Sequence, residues 1–161
     1  MTTTSRMLRS GALALVVLGG VGLAPAAATA APKPSPFAGT YRFTRTHSIY
    51  FRFYPQSEEY LVDWDVTIAS DGTLSGSGTG FVSFDRLGVH YDYEMAGTMS
   101  GSVSKRGARG EGSFSEVVRN TPYVAPKVNA SLSYSIVCSK DAAGDLVVSR
   151  DSQTPEVWTR Q

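Results

Sequence analysis

The chain has 161 residues, of which 42% are hydrophobic, 11% aromatic and 18% charged, with 16 glycines. This globular composition excludes a disordered or collagen-like chain, and no apolar run reaches the roughly 20 residues of a membrane span. A formal net charge of +1 gives no electrostatic reason to expect nucleic acid or an anionic membrane surface as partner.

The chain opens with Arg6 and Arg9 and no acid before residue 10, then a short apolar stretch, GALALVVLGGVGL, over Gly11–Leu23. Small residues follow, ending in Ala28-Thr29-Ala30. A basic start, a short apolar centre and an A-x-A site in that order predict a cleaved secretory signal peptide over 1–30. Residues 31–37, which include Pro32, Pro34 and Pro36, read as a stiff Pro-rich tether, and 38–161 as one domain. Without Arg6 and Arg9 the formal charge becomes −1, from 13 basic and 14 acidic residues. The expected location is extracellular. Cys138 is the only cysteine, so no intrachain disulfide supports the fold, and its neighbours Ile136 and Val137 predict a buried, inert thiol.

From residue 40 onward the period is two. Thr40–Thr44 and Ile49–Tyr54 are rich in aromatic and β-branched residues. Tyr60, Val62, Trp64, Val66 and Ile68 alternate with polar positions and predict a half-buried strand ending at an Asp71-Gly72 turn. Thr73–Phe84 continues with Leu74, Val82 and Phe84 in phase with Gly76, Gly78 and Gly80. A turn over Asp85–Gly88 precedes a long strand with Val89, Tyr91, Tyr93, Met95, Met99 and Val103 on one face. Lys105–Gly110 reads as a loop and Gly112–Val118 as a strand carrying Phe114 and Val118. Leu132, Tyr134, Ile136 and Cys138 alternate with serines, and Leu146–Arg150 and Glu156–Arg160 end the series. Eight or nine strands with short turns and no amphipathic helix predict an all-β antiparallel meander closing into a small barrel; a β-sandwich is the alternative. The glycines permit the bending that closure needs and leave interior room.

Gly39-Thr40-Tyr41 opens the first strand, Trp158-Thr159-Arg160 closes the last, and an Asp71-Gly72-Thr73-Leu74 turn leads into a Gly-rich strand. Over Gly39–Arg160 this layout resembles the calycin barrels, the lipocalins and avidins. In those families a Trp on the first strand and a basic residue near the end of the last pack at the closed end. The resemblance implies that Tyr41 plugs the floor, with Arg160 stacked on it. Biotin binding is not implied, because avidins ring the vitamin with several Trp and only Trp64 and Trp158 are present.

The chemistry-bearing residues are few. His90, Asp92 and Glu94 share one strand face, about 7 Å apart per step, and with His47 would form a metal site; the competing reading is a solvated polar face. Asp63 and Asp65 alternate with Trp64 and so face solvent. No Gly-x-Ser-x-Gly elbow opens a helix. No catalytic residue, cofactor or metal is expected. Three readings remain. The first is an interior site for a small hydrophobic or aromatic molecule among Trp64, Tyr91, Tyr93, Phe114 and Tyr134. The second is a secreted protein-binding factor, such as a protease inhibitor, acting through Tyr50, Arg52 and Tyr54 or through Tyr123 in the Asn120–Asn129 loop. The third is a barrel isomerase or cyclase, which needs a buried acid; Glu116 has the inward phase of Phe114 and Val118. Nucleic acid and, once the leader is removed, membrane are not expected partners.

Overall fold

Among the described residues, eight strands follow one another: β1 (Gly39–Tyr50), β2 (Ser57–Ile68), β3 (Thr73–Arg86), β4 (Val89–Arg106), β5 (Arg109–Thr121), β6 (Asn129–Lys140), β7 (Leu146–Arg150) and β8 (Glu156–Arg160). The structure is a computed structural model and describes residues 33–50, 57–121, 127–151 and 153–161. Each strand pairs antiparallel with the next, and β8 returns to β1, so the meander closes into a barrel.

Local chemistry sets the hairpins. Leu87 and Gly88 both adopt positive φ, 53° and 76°, which matches the twist of two strands joined by a two-residue turn. The turn is tighter than the four residues predicted, because the ladder runs on to Arg86↔Val89. The Lys105–Gly110 segment is likewise mostly strand, with Arg106 and Arg109 paired across Gly107-Ala108. At the β2–β3 turn, Gly72 takes φ 90° and Asp71 accepts a hydrogen bond from the Thr73 amide. The two early stretches separated in sequence belong to one strand over Gly39–Tyr50, and residues 51–54 lie outside the described residues.

Alternation divides the wall into an apolar lining and a polar outside. In β2 every second residue from Tyr60 to Ile68 is buried. Two residues depart from their expected inward phase. Val89, 50% exposed, stands at the hairpin tip beyond the interior, and Leu132, 42% exposed, lies where the wall opens. The end at which β1 begins is plugged by Tyr41 and Phe37, both buried, with the Tyr41 hydroxyl donating to the Phe37 carbonyl at 2.7 Å. Arg160, register partner of Tyr41, is exposed.

The middle of the barrel is solid. Trp64 lies across Gly78 and Gly97, which face each other in the β3–β4 ladder. A methyl group on Gly97 would sit 2.6 Å from the indole Cη2, and one on Gly78 would sit 2.9 Å from Cδ2. The room left by these two interior glycines is therefore filled by Trp64. Gly80, Gly101 and Gly112 serve closure, since a Cβ on any of them would strike a neighbouring strand's backbone carbonyl within 2.3 Å. Phe43 stacks on Trp158 at 4.5 Å and lies parallel to Trp64 at 6.4 Å, and Phe114 tilts against Trp158 at 6.0 Å. This aromatic layer forms the floor for what lies above it.

Candidate functional site

The barrel wall is uneven around β1. β1 and β6 have 12 residues each, whereas β7 and β8, which stand between them, have five each. Among the described residues β1 meets β8 only at Tyr41 and Arg42, and β6 meets β7 only from Ile136 onward. Above that level the backbone ladder stops and side chains take over. Arg45 of β1 grips Glu156 of β8 through two bonds, 3.0 Å from Nε and 2.6 Å from a terminal nitrogen. The other terminal nitrogen of Arg45 bonds Glu116 of β5. Arg150 of β7 donates to Glu156 at 2.5 Å, Trp158 donates to Glu156 at 3.3 Å, and the Tyr134 hydroxyl donates to Glu116 at 3.3 Å.

This ionic seam rests on the aromatic floor. The Arg45 guanidinium lies 4.8 Å from the Phe43 ring centroid, 5.4 Å from Phe114 and 5.6 Å from Tyr134; that of Arg150 lies 4.5 Å from Tyr134. The negative ring faces favour cations there. Glu116 has no solvent exposure. Burial pushes its carboxyl above the usual range, against the pull of Arg45 and Arg150. Burial acts on Glu156 in the same direction, but its bonds to Arg45 and the charge of Arg150 hold it below that range. The seam is thus a charge-balanced set of two guanidiniums and two carboxyls.

Above the seam lies a cavity of about 730 Å³, lined from β1 by Arg45, His47 and Ile49, from β2 by Tyr60, and from the opposite side by Val128, Ala130, Leu132 and Tyr134. Its wall carries three buried polar atoms without a hydrogen-bond partner: His47 Nε2, Tyr60 Oη and Arg150 Nε. Each side chain belongs to a residue at least nine-tenths buried. Burial, reinforced by the charges of Arg45 and Arg150, lowers the His47 pKa from 6.5 to about 4, so the ring is neutral at physiological pH. Its Nδ1 lies 3.9 Å from Glu116 and its ring stacks on Tyr60 at 5.5 Å. Burial, with a smaller contribution from Glu116, raises Tyr60 to about 12, so its hydroxyl keeps its proton. Buried polar groups in folded proteins are normally paired, and several orphans on one wall mark a place where polar atoms of something else belong.

The five residues expected around an interior ligand separate into three places. Tyr134 stands at the cavity, and Trp64 and Phe114 lie in the packed floor beneath it. Tyr91 and Tyr93 pack with Phe84 on the β3–β4 hairpin, with Phe84–Tyr91 and Tyr91–Tyr93 ring centroids 5.4 and 6.1 Å apart. Of the expected partner-binding residues, Arg52, Tyr54 and Tyr123 lie outside the described residues, as does the side chain of Tyr50. Arg45, His47, Arg150 and Glu156 were not singled out together in the sequence, although each sits in phase with apolar neighbours.

The outer wall carries an arrangement that resembles a hydrolytic triad. On the β3–β4 hairpin, Ser83 Oγ lies 3.2 Å from His90 Nε2, and His90 Nδ1 lies 2.8 Å from Asp85. Its chemistry is wrong for a general base. Asp92 sits 3.3 Å from the same Nε2, so both ring nitrogens face carboxylates. The bond to Asp85 and the charge of Asp92 raise the His90 pKa, which favours the imidazolium and removes the lone pair a base would use. The cluster is exposed, and the paired β3–β4 backbone offers no oxyanion hole. Asp63 and Asp65 are exposed and engaged by Thr44 and Arg42. Among the described residues no group of three or more His, Cys, Asp or Glu is placed to hold a metal ion. Cys138 is buried, and burial raises its thiol to about 11.

No family model, no curated protein and no solved structure matches this chain.

Proposed function

We propose that the chain is an exported binding barrel of calycin-like layout that holds one small, largely aromatic or apolar molecule in the cavity between β1 and β6. The observation that carries this reading is the coincidence of His47 Nε2, Tyr60 Oη and Arg150 Nε, three buried and unpartnered polar atoms, on the wall of one cavity. The volume of about 730 Å³ is that of a small-molecule site. Ile49, Val128, Ala130 and Leu132 supply apolar contact, and Tyr60 and Tyr134 supply ring faces. Trp64 and Phe114 act from below, as the packed support that holds Arg45 and Tyr134 in place.

Binding is favoured over isomerase or cyclase chemistry by the position of Glu116. It is the buried acid such chemistry needs, but it has no exposed surface, it is held by Arg45 and Tyr134, and it does not line the cavity. Its role in this reading is to position Arg45. The test is calorimetric titration and thermal shift with a panel of small aromatic and aliphatic compounds, on the wild type and on Ala130→Phe, which fills the cavity. Binding by the wild type that Ala130→Phe abolishes supports the reading. It fails if no compound raises the unfolding midpoint, or if Ala130→Phe binds as well as the wild type.

A further inference from the structure

The cavity wall is electrostatically one-sided. Among the described residues, those lining it include Arg45, Arg86, Lys127 and Arg150, and no Asp or Glu. The two carboxyls of the seam, Glu116 and Glu156, lie behind the guanidiniums that hold them. Counting both layers, four cations stand against two carboxyls. The unpartnered Tyr60 hydroxyl and Arg150 Nε–H are donors, so the groups on this wall that want a partner include two that want an acceptor. A guest without an acceptor would leave those donors unmet, a cationic head would face like charge, and a neutral carbonyl would meet them without the added strength of an ionised acceptor. A guest with an oxyanion would meet a donor pair inside a positive field.

We infer that the ligand is an organic acid, an aromatic body bearing one carboxylate, seated with the carboxylate toward Tyr60 and Arg150 and the ring toward Tyr134, Ala130 and Leu132. The inference rests on the cavity-binding reading above and specifies the chemistry of its guest. The His47 ring stacked on Tyr60, held neutral chiefly by burial and secondarily by Arg45 and Arg150, adds no cation of its own and presents a flat face beside the same placement. The rim cations Arg86 and Lys127 would draw an anion toward the opening before it reaches the buried donors.

The experiment compares three probes that share one ring system: 2-naphthoate, 2-naphthamide and 2-naphthylmethylamine, titrated calorimetrically into the full chain at low salt. The expected order is acid tightest, about tenfold over the amide, which is the discrimination expected from one charge-assisted hydrogen bond, and amine weakest. Tyr60→Phe is expected to weaken the acid about fivefold and the amide by less, because the amide carbonyl accepts the same bond without a charge. Lys127→Glu, a substitution at an exposed position, should slow and weaken acid binding alone. Amide affinity equal to that of the acid, or preference for the amine, overturns the carboxylate assignment and leaves the cavity-binding reading standing. Failure of all three probes to bind, with Ala130→Phe indistinguishable from wild type, overturns both.

Discussion

His47 offers a direct measure of how dry the cavity wall is. In the unfolded chain its imidazole titrates at the ordinary 6.5, and in the fold at about 4. The depressed folded value means that its contribution to stability is fully present above pH 6.5 and is lost as pH falls toward 4, because the unfolded chain takes up the proton that the folded chain refuses. Between pH 7 and pH 5 the two values give a loss of about 2 kcal/mol. The cavity opens to solvent, which reduces this to about 1–1.5 kcal/mol. His47→Phe keeps a ring stacked on Tyr60 but has no proton to refuse. Urea denaturation at pH 7, 6 and 5 should therefore show the wild type losing about 1–1.5 kcal/mol more than the variant. His90, whose partners favour the fold below 6.5, is remote from the substitution and cancels in the difference. Glu116, whose raised pKa favours the fold as pH falls, lies 3.9 Å from His47, so Glu116→Gln in both backgrounds removes its part. Parallel pH profiles for the two proteins would refute the reasoning, as would an imidazole NMR titration placing both histidines near 6.5.

Three further expectations follow from the packing. Gly97→Ala places a methyl group 2.6 Å from Trp64, which also lies against Gly78 and has Phe43 parallel to it at 6.4 Å; a cost of about 1–3 kcal/mol is expected in thermal unfolding, with the outward Ser100→Ala as a neutral control. Arg45→Met strands Glu116 without exposure and should cost about 3–5 kcal/mol, whereas Glu116→Leu leaves Arg45 bound to Glu156 and should cost only about 1–3 kcal/mol; equal or reversed losses in urea midpoints would contradict the seam as described. Cys138, with its thiol raised to about 11, should react with a thiol reagent only after unfolding, and reaction of the native protein at the rate of a free thiol would contradict its burial.

Much of this architecture was legible from period-two alternation alone. Tyr60 to Ile68, Phe114 with Val118, and the two short final strands fall as the sequence pattern implies, and Glu116 takes the inward phase of its neighbours. The ionic seam was written in the same phase. Arg45 and His47 lie between Phe43 and Ile49, Arg150 follows Leu146 and Val148, and Glu156 precedes Trp158, each two residues from an inward apolar side chain. They escape a reading that sends charge to solvent by default, because what makes burial tolerable is a partner on a distant strand: Arg45 and Glu156 are 111 residues apart in sequence. The glycines misled for a related reason. A small residue at an inward position signals space, but only the register that sets Gly78 and Gly97 against Trp64 shows which side chain occupies it.

The abbreviated β7 and β8 strands carry a hazard that the seam also manages. Where the ladder stops, the upper part of β1 and the Asn129–Tyr134 part of β6 are paired on one edge, with β2 and β5, and present the other as a rim with no described strand laddered to it. Such rims are the places where one molecule can add itself to the next and begin an aggregate. Here an incoming chain would have to separate Arg45 and Arg150 from Glu156 and strand charges in a dry interior. The salt-bridged residues that furnish the cavity thus also raise the cost of edge-to-edge pairing at these rims.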